Sequence, residues 1–150
     1  MSDLLAISCI DGRYKNITYN LKDFFSEYAF FKYRLFIEIK YFIKLCETLG
    51  LNIKVKKIMN IYNDFNLQEC QKIKEIEKNI SHDVKSIEIY IQQEFEKRTI
   101  PYGNFIHFGL TSQDINNTSL SLSIKSYLNN NFYNNIDKIT KKIIEKYKKW

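Results

Sequence analysis

Residues 21–50 read LKDFFSEYAFFKYRLFIEIKYFIKLCETLG, a run with no proline and with glycine only at its last position. Phe24, Tyr28, Phe31, Leu35, Glu38/Ile39, Phe42 and Leu45 recur mostly at steps of three and four, the repeat that aligns side chains along one face of an α-helix. Phe25, Phe30, Phe36 and Tyr41 widen that face, so the helix is expected to be covered on more than one side. Lys32, Arg34, Glu38, Lys40 and Lys44 interrupt the apolar run too often for a bilayer span. Gly50 stands where helices commonly close through a left-handed residue. The stretch predicts one long helix from about Leu21 to Leu49.

The same reading extends outward. A second helix is expected from Val55 to Asn63, and a third begins at Asn66, with Glu69 at the spacing of a capping box. Ser81 is placed to cap a fourth, whose stripe is Val84, Ile87, Ile91 and Phe95. Pro101 and Gly103 mark the loop that follows. A fifth helix starts near Thr111 and passes Leu128. After a break at Asn129-Asn130-Asn131, a sixth carries Phe132, Ile136, Ile139, Ile143 and Tyr147. That stripe reaches the last residues without a cap, as a pattern cut in the middle would, and both final stripes are expected to pack in a bundle. Before Asn20 the chain reads as irregular, with a turn at Asp11-Gly12. With four glycines and one proline there is little punctuation for many short strands, so the expected fold class is all-α.

Composition excludes several functions. At 45% hydrophobic and 27% charged residues the chain is an ordinary globular sequence and not a disordered polyelectrolyte. Met1-Ser2-Asp3 opens without the basic, apolar pattern of a leader. Cys9, Cys46 and Cys70 show no CxxC spacing, which suits free thiols in a reducing compartment and points to the cytosol, not to a disulfide scaffold or a zinc site. The net charge of +6 is nearly all lysine, spread over every segment, with arginine only at positions 13, 34 and 98. A nucleic-acid reader would concentrate arginine on one element, so the charge reads as a solvated surface. No P-loop, dinucleotide fingerprint, nucleophile elbow or metal-ligand spacing is present, and neither a cofactor nor a metal is expected.

Three polar clusters lie at turns or helix starts. In Asp11-Gly12-Arg13-Tyr14, a guanidinium fork and a phenol hydroxyl follow a glycine, a set able to grip a phosphate; taken alone it fits a surface turn better. Ser81-His82-Asp83 stands at a helix start, where unpaired N–H groups and the positive dipole end attract anions. His82 and Asp83 are neighbours about 100° apart around a helix and cannot face each other as a dyad. The third cluster runs from His107 to Thr118, with Gly109, the adjacent hydroxyls of Thr111 and Ser112, and Asp114, Asn116 and Asn117. A cap needs one hydroxyl, and this segment offers more than a cap needs.

The succession Ser8-Cys9-Ile10-Asp11-Gly12-Arg13-Tyr14, then Ser81-His82-Asp83-Val84, then the run from Phe105 to Asn117 resembles the bacterial-type adenylosuccinate lyases of the fumarase/aspartase superfamily. The likeness takes in Phe25-Ser26-Glu27-Tyr28; Cys9 departs from it, the family usually having proline there. The resemblance implies an amino-terminal fragment with a helical domain over residues 1–110 and the start of a long central bundle over residues 111–150. It implies that Arg13 and Tyr14 hold the nucleotide phosphate, that Ser81, His82 and Asp83 contact the substrate, and that Thr111 and Ser112 bind a succinyl carboxylate. The implied substrates are adenylosuccinate and SAICAR, the implied assembly a homotetramer without nucleic acid or membrane. The family's general acid, a histidine in Thr-His-Gly, and its base, a serine on a mobile loop, have no counterpart in these residues. A helical interaction module using the same motifs only as caps is the competing expectation.

Overall fold

The computed structural model describes residues 7–150; the opening Met1-Ser2-Asp3 lies outside the described residues. Among these, every regular element is helical: α1 (Lys15–Thr18), a 3-10 turn (Tyr19–Leu21), α2 (Lys22–Phe25), α3 (Glu27–Thr48), α4 (Val55–Asn63), α5 (Leu67–Ile80), α6 (Asp83–Lys97), a second 3-10 turn (Gly103–Phe105), α7 (Ser112–Tyr127), a π-helical turn (Leu128–Phe132) and α8 (Tyr133–Tyr147). The all-α expectation holds. No helix among them is long and apolar enough to cross a membrane.

The long helix is shorter than its periodicity. Ser26 is extended (φ −76°, ψ 163°) and splits the run into α2 and α3; its hydroxyl caps α3 by accepting from the Ala29 N–H at 3.2 Å. A local serine–backbone bond has outcompeted the helical continuation. At the other end Gly50 takes φ 67°, its N–H donates to the Glu47 carbonyl and that of Leu51 to the Cys46 carbonyl, the double closure of a Schellman turn.

Three further expectations are corrected. Asn66 caps α5, accepting from the N–H groups of Gln68 and Glu69, but the Glu69 carboxylate does not reach back; it accepts instead from Lys72 Nζ and from the Tyr90 hydroxyl. Ser81 does not cap α6. It closes α5 in the left-handed region (φ 54°, ψ 37°), because only two residues separate the helices, and His82 (φ −146°, ψ 111°) becomes the N-cap. The three asparagines do not break the last helix. They form a π turn that carries the backbone from α7 into α8 without leaving helical geometry. The opening segment also departs from irregularity: after the turn at Asp11 and Gly12, whose N–H groups both donate to the Ser8 carbonyl, it winds into the short helix α1 and the 3-10 turn that follows it.

The core is built on α3. Phe31, Leu35, Ile39, Phe42 and Cys46 are buried against Ile58 and Ile61 of α4, Ile73 of α5, and Ile87, Tyr90, Ile91 and Phe95 of α6. Phe42 and Phe95 meet edge to face with centroids 4.9 Å apart, a favoured aromatic geometry. Helix α7 lies along α3 and buries Ile115 with two small residues, Ser119 and Ser123; the Ser123 hydroxyl donates to the Phe24 carbonyl and ties α2 in. On α8 the predicted stripe is present, yet Ile136, Ile139, Ile143 and Tyr147 are all exposed. The bundle packing expected of it is not made by any described residue.

Candidate functional site

The three polar clusters do not gather equally. Arg13 and Tyr14 sit at the exposed end of the opening turn, the guanidinium 5.5 Å from the Tyr14 ring centroid. Among the described residues no hydrogen bond or ion pair links them to α6 or α7. The other two clusters are both fastened to α3.

At the start of α6, His82 Nδ1 accepts from the Lys85 N–H at 3.1 Å, so its ring closes the helix end, while half of the side chain stays open to solvent. Asp83 lies in the first turn and places one carboxylate oxygen 2.8 Å from the Arg34 guanidinium of α3. Its other oxygen is 3.9 Å from His82 Nδ1, outside hydrogen-bond reach, so the two side chains form no dyad. Ser81 is exposed, and its N–H donates to the Glu77 carbonyl. Arg34 and Asp83 share the wall of a depression of about 440 Å³ with Glu27, Phe30, Phe31 and Glu77. A roomier depression, about 800 Å³ between Lys22, Ser26, Tyr28 and Asn66, contains no residue of the three polar clusters. Volume alone is therefore a poor guide here.

At the start of α7 the Asp114 carboxylate accepts from both the Thr111 N–H and the Thr111 hydroxyl, each at 2.8 Å. Those two bonds, the backbone one first, hold the Asp114 carboxyl below its ordinary value. The Thr111 hydroxyl proton is thus already committed. The Ser112 hydroxyl has no partner among the described residues, and the first N–H groups of α7 lie beside it. Of the two adjacent hydroxyls, Ser112 is the one free to donate to an anion.

The loop before α7 is gripped from below. His107, with a left-handed φ of 60°, brings Nδ1 within 2.6 Å of Glu38 Oε1, and Nε2 within 3.7 Å of Glu88 Oε1. Glu88 is held by Lys85 Nζ at 2.7 Å. Tyr41 donates to the Phe108 carbonyl at 2.7 Å. Glu38 is buried inside the core, and burial pushes its carboxyl above the ordinary value against the opposing pull of His107. Arg34, Glu38 and Tyr41 therefore form one stripe on α3, spaced four and three residues, that meets both site segments. Arg34 to Glu38 spans about 6 Å along the axis.

Sequence reasoning passed over this stripe. The signal was there in Glu38, a carboxylate at a position where the apolar repeat of α3 asks for a hydrophobe, and in Glu88 beside Ile87 and Ile91. A charge inside a periodic core face needs a buried partner, and His107 supplies it. Cys46 and Cys70 are buried free thiols, raised above the ordinary thiol value by burial, and Cys9 is exposed. Among the described residues no cluster of His, Cys, Asp and Glu is arranged to hold a metal ion.

Residues 12–150 match the protein family described as Lyase. The chain is 46% identical over 136 residues to an adenylosuccinate lyase of Dictyostelium discoideum, 83% of this chain and 29% of that protein. It is 43% identical over 134 residues to the adenylosuccinate lyase of Legionella pneumophila strain Philadelphia 1, and 40% identical over 134 residues to that of Buchnera aphidicola from Acyrthosiphon pisum, with the same shares of 83% and 29%. The chain thus spans less than a third of the length of these relatives. Since the family match covers Arg13, Tyr14, Ser81, His82, Asp83, Thr111 and Ser112 along with nearly the whole helical framework, the chain belongs to the lyase family.

Proposed function

We propose that these residues are the amino-terminal part of an adenylosuccinate lyase and supply the groups that hold substrate. The observation that carries the reading is the identity of 46% to a protein of that name, over a segment long enough to contain the helical framework. The three motif segments agree with it. The reaction is a β-elimination: a base removes a proton from the succinyl carbon next to the one bearing nitrogen, the C–N bond breaks, and an acid protonates the departing nitrogen. Adenylosuccinate gives AMP and fumarate, and SAICAR gives AICAR and fumarate, two steps of purine biosynthesis.

On this reading Arg13 and Tyr14 bind the nucleotide phosphate through a fork and a hydroxyl. Ser81, His82 and Asp83 contact the substrate, and Thr111 and Ser112 take a succinyl carboxylate. Charge builds on that carboxylate as the proton leaves, so donors fixed at the α7 start lower the barrier. Ser112 has the hydroxyl available for this, whereas Thr111 acts through its place in the cap. The general acid and base are contributed by other residues of the complete protein. Residues 1–110 form its first helical domain and residues 111–150 begin its central bundle, assembled as a cytosolic homotetramer; the exposed stripe of α8 supports such packing.

The test is a chimera in which these 150 residues replace the corresponding segment of the Legionella pneumophila relative. Fumarate release from adenylosuccinate is expected. A chimera that folds and assembles like its parent but releases no fumarate refutes the proposal and favours a helical interaction module.

A further inference from the structure

We propose that Glu38 is a positioning residue for the carboxylate-binding start of α7, acting through His107. The proposal rests on the reading of Thr111 and Ser112 given above. Glu38 stands among Leu35, Ile39 and Phe42 in the core, where an apolar side chain would pack without desolvating a carboxylate. Its placement there needs a reason other than packing. Oε1 receives His107 Nδ1 at 2.6 Å, and Oε2 is buried without a partner, so the group serves one contact.

That contact falls on a residue with a left-handed backbone. His107 is a non-glycine residue in the left-handed region, a conformation that persists only when the surroundings impose it. The next carbonyl, that of Phe108, is taken by Tyr41 from the same face of α3. Two successive loop residues are thus pinned to two points on one rigid helix. Gly109 then turns at φ 74°, the Leu110 N–H donates back to the His107 carbonyl, and Thr111 begins the cap. The segment from the pin to the helix start has no slack.

The far side of the ring meets α6. Nε2 lies 3.7 Å from Glu88 Oε1, and Glu88 is tied to Lys85, one turn after His82 and Asp83. His107 is therefore bracketed between carboxylates of α3 and α6, and the bracket sets the spacing between the α6 and α7 starts. These two starts are the pieces that must meet one ligand.

Glu38→Leu removes the acceptor and leaves an apolar side chain of similar size; Glu38→Gln keeps an acceptor at the same reach. Hydrogen exchange of the full chain, read by NMR, is expected to speed up for amides 107–113 by about tenfold in Glu38→Leu, with α4 and α5 unchanged. In the chimera, kcat is expected to fall by a factor on the order of 10 to 100 in Glu38→Leu with the melting temperature held, as small misplacement of a binding group does, and to recover in Glu38→Gln. Unchanged exchange over 107–113, or faster exchange with unchanged kcat in an active chimera, overturns the proposal. A chimera inactive without any of these substitutions overturns the lyase reading instead, and exchange in the chain still decides whether Glu38 holds the loop. If Glu38→Leu does not fold, NMR of the imidazole nitrogens of the unmodified chain decides: Nδ1 hydrogen-bonded to Glu38 is expected, whichever of the two carries the proton, and an Nδ1 without that bond overturns the contact.

Discussion

Replacing His82 separates capping from ligand binding. The ring accepts one hydrogen bond, from the Lys85 N–H at 3.1 Å, and half of the side chain faces solvent. His82→Ala therefore removes a cap and little packing, at a cost of about 1 kcal/mol. For a chain of this length that corresponds to a drop in Tm of about 2–4 °C. Asn is among the best capping residues and suits the extended backbone at this position, so His82→Asn is expected to recover the stability. It does not replace an imidazole that contacts substrate. Thermal unfolding followed by circular dichroism gives the first quantity, and fumarate release by the chimera gives the second. The expected pattern is a lowered Tm only in His82→Ala and reduced turnover in both variants. A His82→Asn variant that melts as low as His82→Ala refutes the capping argument. One that turns over like the unmodified chimera refutes the substrate contact.

Three more outcomes follow from the packing and the charges. Phe42→Ala removes a fully buried ring that meets Phe95 edge to face and should cost about 3–5 kcal/mol in denaturant unfolding; a loss under about 1 kcal/mol would mean the core is not centred on α3. The Asp114 carboxyl is held low by Thr111, so its contribution to stability is present above the ordinary carboxylate range and lost as pH falls through its lowered folded value. Asp114→Asn should then narrow the Tm difference from the unmodified chain as pH is lowered into that range, and a constant difference contradicts the cap. In the isolated chain Ile139→Asn and Ile143→Asn should change stability by no more than about 0.5 kcal/mol, because both side chains are exposed; a larger loss would show that α8 is covered.

The fold was legible wherever periodicity and punctuation agreed. The step of three and four in α3, the Gly50 closure, the stripe of Val84, Ile87, Ile91 and Phe95 and the Asn66 cap all survive in the structure. The misread helix ends share one cause: residues such as serine and asparagine have several local uses. Ser26 and Ser81 each have two, and tertiary packing decides which end of which helix they serve. Three asparagines in a row read as a break, yet helical hydrogen bonding continues through them as a π turn. The candidate site was legible as segments and not as an assembly. Motif and capping spacing mark His82, Asp83, Thr111 and Ser112, but nothing local ties Asp83 to Arg34 or His107 to Glu38, pairs 49 and 69 residues apart in the chain. Such pairings are set by how helices pack.

The central claim is that Arg13 grips a phosphate remote from the breaking bond while Ser112 holds a carboxylate whose charge grows in the transition state. Steady-state kinetics of the two alanine variants in the chimera test it. Arg13→Ala is expected to raise KM with kcat nearly kept, because a remote clamp binds ground state and transition state alike. Ser112→Ala is expected to lower kcat by a factor on the order of 100, as the loss of one such donor does, with a smaller effect on KM. Unchanged kcat and KM in both folded variants, with only their melting temperatures lowered, would contradict the account.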